Sequence, residues 1–195
     1  MQIKPVTLEG KSVRLAPLKL ENLAELYEAA SDESLWRWTT NIVESREDML
    51  RYIETALGEA AGKISVPFVT IEKSTGKIIG STRFGNIDAK NRKTEIGWTW
   101  INPKWQRTAI NTEAKLLMLT HAFETWNCVR VELKTDALNE KSRKAIRRIG
   151  AKQEGILRQH LITDAGRFRD TVYFSIIDSE WQTVKADLNE KLRSF

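Results

Sequence analysis

Apolar residues recur along the chain at two spacings, and the changes between them mark its elements. Val13, Leu15 and Pro17 alternate with Ser12, Arg14 and Ala16, which predicts a strand over Ser12–Leu18. Leu20–Ala30 follows as a helix with Leu23, Leu26 and Tyr27 on one face. Ser31–Thr40 is polar and reads as a loop carrying Trp36 and Trp38. Ser45 with Asp48 has the form of a capping box and opens a second helix through about Ala60. From Ser65 the period falls to two. Ser65–Glu72, Lys77–Ile87 and Lys93–Ile101 predict a meander with its first turn at Lys73–Gly76, and Pro103 closes the third strand.

Asn111–Trp126 is the strongest helix, apolar around most of its circumference at Ala114, Leu116, Leu117, Met118, Leu119, Ala122 and Phe123. Such a helix is packed on both sides and belongs across the sheet in mid-domain. Val129–Thr135 alternates strictly, Asn139–Ile149 is helical, and Gly150 stops it. Strands over Lys152–Thr163 and Arg167–Ile177, turning at Asp164–Gly166, precede a charged helix over Ser179–Leu192. The order β, α, α, β, β, β, α, β, α, β, β, α predicts an α/β or α+β domain with a mixed sheet and flanking helices.

With 41% hydrophobic and 29% charged residues, the composition excludes wholesale disorder. A chain of 195 residues is long enough to bury a full core, so one domain over 1–195 is expected. The single cysteine, Cys128, excludes an internal disulfide framework, and with only His121 and His160 beside it no Cys/His zinc site is expected. No segment has the length of apolar sequence needed to span a bilayer, so no membrane partner is expected and the expected location is the cytoplasm.

The net charge of +5 favours an anionic partner, either nucleic acid or a phosphorylated small molecule. The densest basic run, Lys141–Arg148, reads either as a solvated helix face or as a nucleic-acid face, and no helix-turn-helix or RNA-binding aromatic signature accompanies it.

Two segments carry candidate chemistry. In Trp100–Thr112 a strand ends, a short loop follows and a long buried helix begins. A helix start presents unpaired N–H groups and partial positive charge suited to a phosphate, and Gln106, Arg107, Thr108 and Asn111 add polar side chains. The bland alternative is an ordinary strand-to-helix connection. On the later helix, Asn139, Ser142, Ala145, Ile146 and Ile149 form one inward stripe, with Lys141, Arg143, Lys144, Arg147 and Arg148 pointing away. Asn139 and Ser142 are then either an N-cap with a small helix-start residue, or a pair of ligand contacts.

In order and spacing, these residues resemble the GCN5-related N-acetyltransferase (GNAT) family, in its ribosomal-protein-alanine acetyltransferase-like branch. The resemblance runs from Gly10–Leu18 through Gln106–Asn111, the Asn139-Glu140-Lys141-Ser142 quartet and Ala145–Ala151, to Arg169–Val172 and Phe174-Ser175. Ala109 stands where the family's pyrophosphate loop has Gly, and Asn111 where it has Gly or Ala.

The resemblance implies a mostly antiparallel central sheet flanked by helices. It also implies acetyl-coenzyme A (acetyl-CoA) as cosubstrate and direct acetyl transfer to an amine, either a protein N-terminus or a small amine. On that pattern Gln106, Arg107, Thr108, Ala109, Ile110, Asn111 and Thr112 cradle the pyrophosphate, while Asn139 and the backbone at Trp100 and Ile101 hold the pantetheine arm. Ser142 gives a proton to the leaving sulfur. Glu132 and, less favoured, Glu95 are candidate bases, each with a plain surface-strand alternative. Trp36, Trp38 and His160 are candidates for lining the acceptor side, with structural packing as the alternative. Cys128 reads as a buried small apolar residue. A CoA-binding module that does not turn over, motivated by Ala109, and a homodimer both stay open.

Overall fold

The computed structural model describes residues 1–195. Its strands are β1 (Leu8–Glu9), β2 (Val13–Pro17), β3 (Val66–Glu72), β4 (Ile78–Asp88), β5 (Lys93–Ile101), β6 (Arg130–Asp136), β7 (Lys152–Ile162) and β8 (Phe168–Ile177). Its α-helices are α1 (Leu23–Ala29), α2 (Arg46–Ala61), α3 (Ala109–Thr120), α4 (Glu140–Arg148) and α5 (Asp178–Arg193). The order expected from periodicity is present, with the two-residue β1 added at the start. Local signals act where they stand in the chain. Ser45 and Asp48 form the capping box of α2, and Gly150 adopts φ 91° directly after α4.

The strands form one sheet in the order β1-β2-β3-β4-β5-β6-β8-β7. Every neighbouring pair is antiparallel except β5 and β6, which run parallel because α3 lies between them as a crossover. Two apolar cores cover the two faces. The larger joins the sheet to α3 and α5 through residues such as Phe84, Met118, Phe174 and Trp181, and the smaller packs α1 and α2 against Val69, Ile71 and Trp100.

The sheet parts at its middle. β5 and β6 pair only through Lys93–Glu95 and Arg130–Glu132, after which neither strand has the other as partner. β5 is also bulged. Its pairing with β4 jumps from Ser81↔Trp100 to Arg83↔Gly97, with Trp98 in the left-handed region at φ 50°. The Trp98 ring packs where a side chain at position 85 would stand, since a Cβ on Gly85 would come within 2.3 Å of it. Arg83, 2% exposed, lies against the same ring at 4.7 Å and is held by Glu59 at 2.9 Å.

Helix α3 differs from expectation in three respects. It begins at Ala109 instead of Asn111, because Thr108 is the N-cap and its Oγ1 accepts from Ile110 N. It changes to a π-helical turn at His121–Thr125, closed by Trp126 N donating to the His121 carbonyl, beside the ring cluster of Phe84, His121 and Trp126. Its buried face includes Glu113 and Lys115, whereas Leu116 and Leu117 are only half-buried. Glu113, 9% exposed, accepts from the backbone N–H groups of Lys11 at 2.6 Å, Ser12 at 2.7 Å and Val13 at 3.0 Å. It therefore fastens the β1–β2 turn to the central helix. Glu113→Ala would leave three N–H groups without an acceptor and is expected to cost about 3 kcal/mol in urea unfolding. Glu113→Gln, which keeps one acceptor oxygen, should cost less.

Candidate active site

The gap between β5 and β6 opens into a cleft of about 320 Å³. Its floor is Glu95, Gly97–Trp100, Lys134 and Thr135, and Asn139 and Ser142 stand at one side. The Trp36–Asn41 loop and the β7–β8 hairpin enclose the other. Beyond Glu95, β5 runs along this cleft with no strand paired to its β6-facing edge. Trp100 Nε1 is buried at the same place without a partner.

The loop after β5 is held by its own side chains. Gln106 Nε2 donates to the Ile101 carbonyl at 2.8 Å and Gln106 Oε1 accepts from Lys141 Nζ, which ties the start of α3 to α4. Thr108 Oγ1 donates to the Trp105 carbonyl at 2.8 Å. The left-handed residue of the loop is Arg107, at φ 62°, whereas Ala109 is the first residue of α3 and has no positive φ. The methyl at position 109 therefore introduces no backbone strain. Asn111 lies in the first turn of the helix, and its buried Oδ1 has no partner.

On α4, the Asn-x-x-Ser pair is an N-cap that also borders the cleft. Asn139 is the N-cap, its Oδ1 accepting from Ser142 N at 3.0 Å, and both residues line the cleft. The basic run behind them is not a free face. Lys141 bonds Gln106, Arg143 donates to the Ala137 carbonyl at 3.1 Å, and Lys144 pairs with Glu140. Arg147 reaches Gln153, and Arg148 donates to Thr112 Oγ1 at 2.8 Å. Lys141, Lys144, Arg147 and Arg148 stay exposed, as expected, and only Arg143 is half-buried, while most of these partners lie outside α4.

The two candidate carboxylates separate. Glu95 lines the cleft, where its Oε2 accepts from Asn86 Nδ2 at 2.7 Å and pairs with Lys134 Nζ at 2.7 Å. Burial opposes the Lys134 charge, but the Glu95 carboxylate outweighs it and holds the ammonium pKa above the usual lysine value. Glu132, the favoured candidate from sequence, is not among the cleft residues. Its carboxylate accepts from Arg130 Nε at 2.9 Å, and Arg130 goes on to Glu154. Strand alternation places both glutamates outward from the core, and only the pairing of neighbours assigns one to the cleft and the other to an ion-pair chain.

Trp36, Trp38 and His160 all line the cleft. Trp36 is also a packing residue, with Nε1 donating to the Ala30 carbonyl at 3.2 Å and its ring 5.5 Å from Trp100. Trp38 lies between Arg37 and Arg167. The loop bearing them is pinned to the β7–β8 turn by Asp164, whose N–H donates to Thr40 and whose carboxylate accepts from Ile42 N. Burial drives the Cys128 thiol up to about 11, which makes it inert. His121 is kept below its ordinary pKa by burial against Phe84 and Trp126.

Sequence patterning missed Lys115. It is 5% exposed, has no carboxylate partner, and donates to Thr99 Oγ1 at 2.6 Å, directly behind the cleft floor. Burial brings its pKa down to about 7.

Residues 12–152 match the family model described as an acetyltransferase (GNAT) domain. YdaF of Bacillus subtilis (strain 168), whose name provisionally assigns it as a ribosomal N-acetyltransferase, is 37% identical over 110 residues, 56% of this chain and 59% of that relative. That match spans less than two thirds of the relative's length. The p20 protein of Bacillus licheniformis, named as an uncharacterized N-acetyltransferase, is 27% identical over 90% of this chain and 98% of its own. Among solved structures, a GCN5-related N-acetyltransferase from Brucella melitensis superposes with a TM-score of 0.89 at 31% identity, covering 97% of this chain and 86% of that one.

The buried ammonium has a consequence for stability. Between about pH 7 and the unfolded lysine value of 10.5, the unfolded chain holds a proton that folded Lys115 does not. This contribution therefore makes stability rise with pH across that window. Lys115→Met is expected to stabilise the protein most at or below pH 7, by on the order of 3 kcal/mol, with the gain fading towards pH 10. Urea unfolding of both proteins at pH 6.5 and 9.5 measures it, and an equal difference at the two values would show that Lys115 is fully charged in the folded protein.

Proposed function

The chain belongs to the acetyltransferase (GNAT) domain family, and from that premise we propose that it is an acetyl-CoA-dependent N-acetyltransferase that uses the cleft between β5 and β6. The observation that carries this reading is the early end of the β5–β6 ladder. It leaves a strand edge unpaired in the interior, where an extended amide-bearing arm finds donors and acceptors in register.

The residues present fit such a cosubstrate. The backbone from Ile96 to Ile101 would hold the pantetheine arm, helped by the unpartnered Trp100 Nε1 and by Asn139. The amides from Arg107 to Thr112, with Gln106 fixed beside them, would take the pyrophosphate at the start of α3. When bound, acetyl-CoA supplies the acyl group as a thioester.

The chain's own part is to orient two reactants and move two protons. Ser142 Oγ forms no bond within the chain and is the group we assign to protonate the leaving sulfur. Glu95 is the candidate carboxylate in the cleft, and we assign it the proton released by the amine. Trp36, Trp38 and His160 would border the acceptor. The family branch and the YdaF match favour a protein N-terminus or a small primary amine as that acceptor.

Thermal shift with CoA, acetyl-CoA and desulfo-CoA tests the binding half. All three should stabilise the protein, by about 2.7 kcal/mol at a hundred times the dissociation constant. No shift at millimolar concentration with any of them overturns the reading.

Ser142→Ala tests the chemical half. It is expected to leave folding and CoA affinity nearly unchanged and to lower turnover about ten- to a thousand-fold, measured as thiol release with an amine panel. Unchanged turnover with a loss of about 1 kcal/mol in stability would return Ser142 to the role of a helix-start residue.

A further inference from the structure

Seven buried side-chain polar atoms in the chain lack a hydrogen-bond partner, and four of them line the one cleft: Trp100 Nε1, His160 Nδ1, Arg169 Nε and Thr171 Oγ1. Buried polar groups without partners are rare because each costs free energy, so their concentration in one place calls for a ligand. Trp100 lies at the β5–β6 opening. The other three line the cleft from the β7–β8 hairpin. Arg169 and Thr171 project from the same face of β8, and Arg169 is directly across from Leu161, the neighbour of His160. His160 is aimed by a bulge. The β7–β8 register shifts between Leu157 and Leu161, and Gln159 at φ 46° is held there by its N–H donating to Asp170 Oδ1 at 2.7 Å.

Arg169 decides the chemistry. It is 8% exposed, and its side chain takes part in none of the ion pairs or hydrogen bonds of the chain. The carboxylates near it are engaged elsewhere, Glu95 with Lys134 and Asp136 with Arg167. The Glu95–Lys134 pair cancels within the cleft, leaving one guanidinium uncompensated. A buried arginine with free donors in a fork is complementary to a carboxylate, and an imidazole and a hydroxyl beside it complete a site for its oxygens.

We propose that the acceptor is an amine bearing a carboxylate close to the reacting nitrogen, and that Arg169, with His160 and Thr171, binds that carboxylate. This rests on the acetyltransferase reading and narrows its acceptor. The carboxylate belongs either to a free amino acid or to an acidic side chain at a peptide N-terminus. The shared feature is the anion, and the mode of recognition is a salt bridge to a buried guanidinium.

The experiment compares acceptors that differ only in the anion. Free amino acids, their C-terminal amides, and C-terminally amidated dipeptides beginning with Asp, Glu, Asn or Gln are assayed with acetyl-CoA by thiol release. Acids should exceed their neutral counterparts about a hundred-fold in kcat/KM. The set that shows the difference identifies whether the carboxylate is the α-carboxyl or the side chain. Arg169→Gln should reduce the preference to within about three-fold, Arg169→Lys should restore part of it, and the KM for acetyl-CoA should not change. The melting temperature of Arg169→Gln should not fall, since the change removes a buried charge without a partner.

A readout independent of turnover is the Arg169 Nε–Hε NMR correlation in the CoA-loaded protein, assigned by its loss in Arg169→Gln. It should move on adding the N-acetylated form of the acids that the kinetics select, N-acetyl amino acids or the C-terminal amides of N-acetyl-Asp and N-acetyl-Glu, and stay fixed with the neutral counterparts of that set. No preference for the acid in either acceptor set, an acetyl-CoA KM that rises with Arg169→Gln, or an unmoved correlation would each overturn the carboxylate site. None of these would touch the N-acetyltransferase reading, which fails separately if CoA does not bind.

Discussion

Two neighbouring parallel strands that stop pairing after three residues leave a sheet with backbone groups exposed inside the fold, an arrangement that packing must hold open. In this chain the opening is held from several directions. The bulge at Trp98 turns β5 out of register with β4, Gly85 leaves room for its ring, and Arg83 lies against that ring while tied to Glu59. On the β6 side, full pairing with β8 from Arg130 to Asp136 prevents the strand from following β5. The gap is thus the outcome of each strand being committed to its outer neighbour. Everything in the cleft depends on that commitment, from the unpaired edge of β5 to the placement of Asn139 and Ser142.

The chain also concentrates buried charge around this region, and the forms differ in cost. Glu113 is satisfied by three backbone donors and works as a structural clamp between the N-terminal turn and α3. Arg83 has a carboxylate and two aromatic faces. Lys115 has only hydroxyl partners, and Arg169 has no polar partner in the chain. The last two are destabilising where they stand, Arg169 lining the cleft and Lys115 directly behind its floor. Their placement follows the usual pattern in which a fold tolerates local cost where it binds something.

The wall of the cleft opposite α4 is built from segments far apart in sequence. The Trp36–Asn41 loop reaches the cleft because Trp36 is anchored in the α1–α2 core and Asp164 of the β7–β8 turn bonds the loop backbone. The start of α3 and the start of α4 are likewise joined through Gln106 and Lys141. These tertiary bonds make a basic helix part of the framework around the cleft.

Much of the fold was legible in the residues because the signals concerned are local. Strict alternation at Val129–Thr135, the Ser45–Asp48 capping box and the glycine after α4 act within a few residues of themselves, and each marks an element that is present. The loop at Trp100–Thr112 and the Asn139–Ser142 pair were also legible as candidate chemistry, since a helix start has the same free donors wherever it occurs. Alternation says only which way a side chain leaves its strand, not what meets it there. Glu95 and Glu132 carry the same local pattern and stand opposite each other in register, yet one faces the cleft and the other an arginine. Likewise, nothing near Glu113, Lys115 or Arg169 in sequence marks them as buried. Those outcomes belong to strand order, to the bulge and to the crossover, which bring together residues separated by more than a hundred positions. Contacts of that range are decided by tertiary packing alone, because no local pattern encodes which distant surface will arrive.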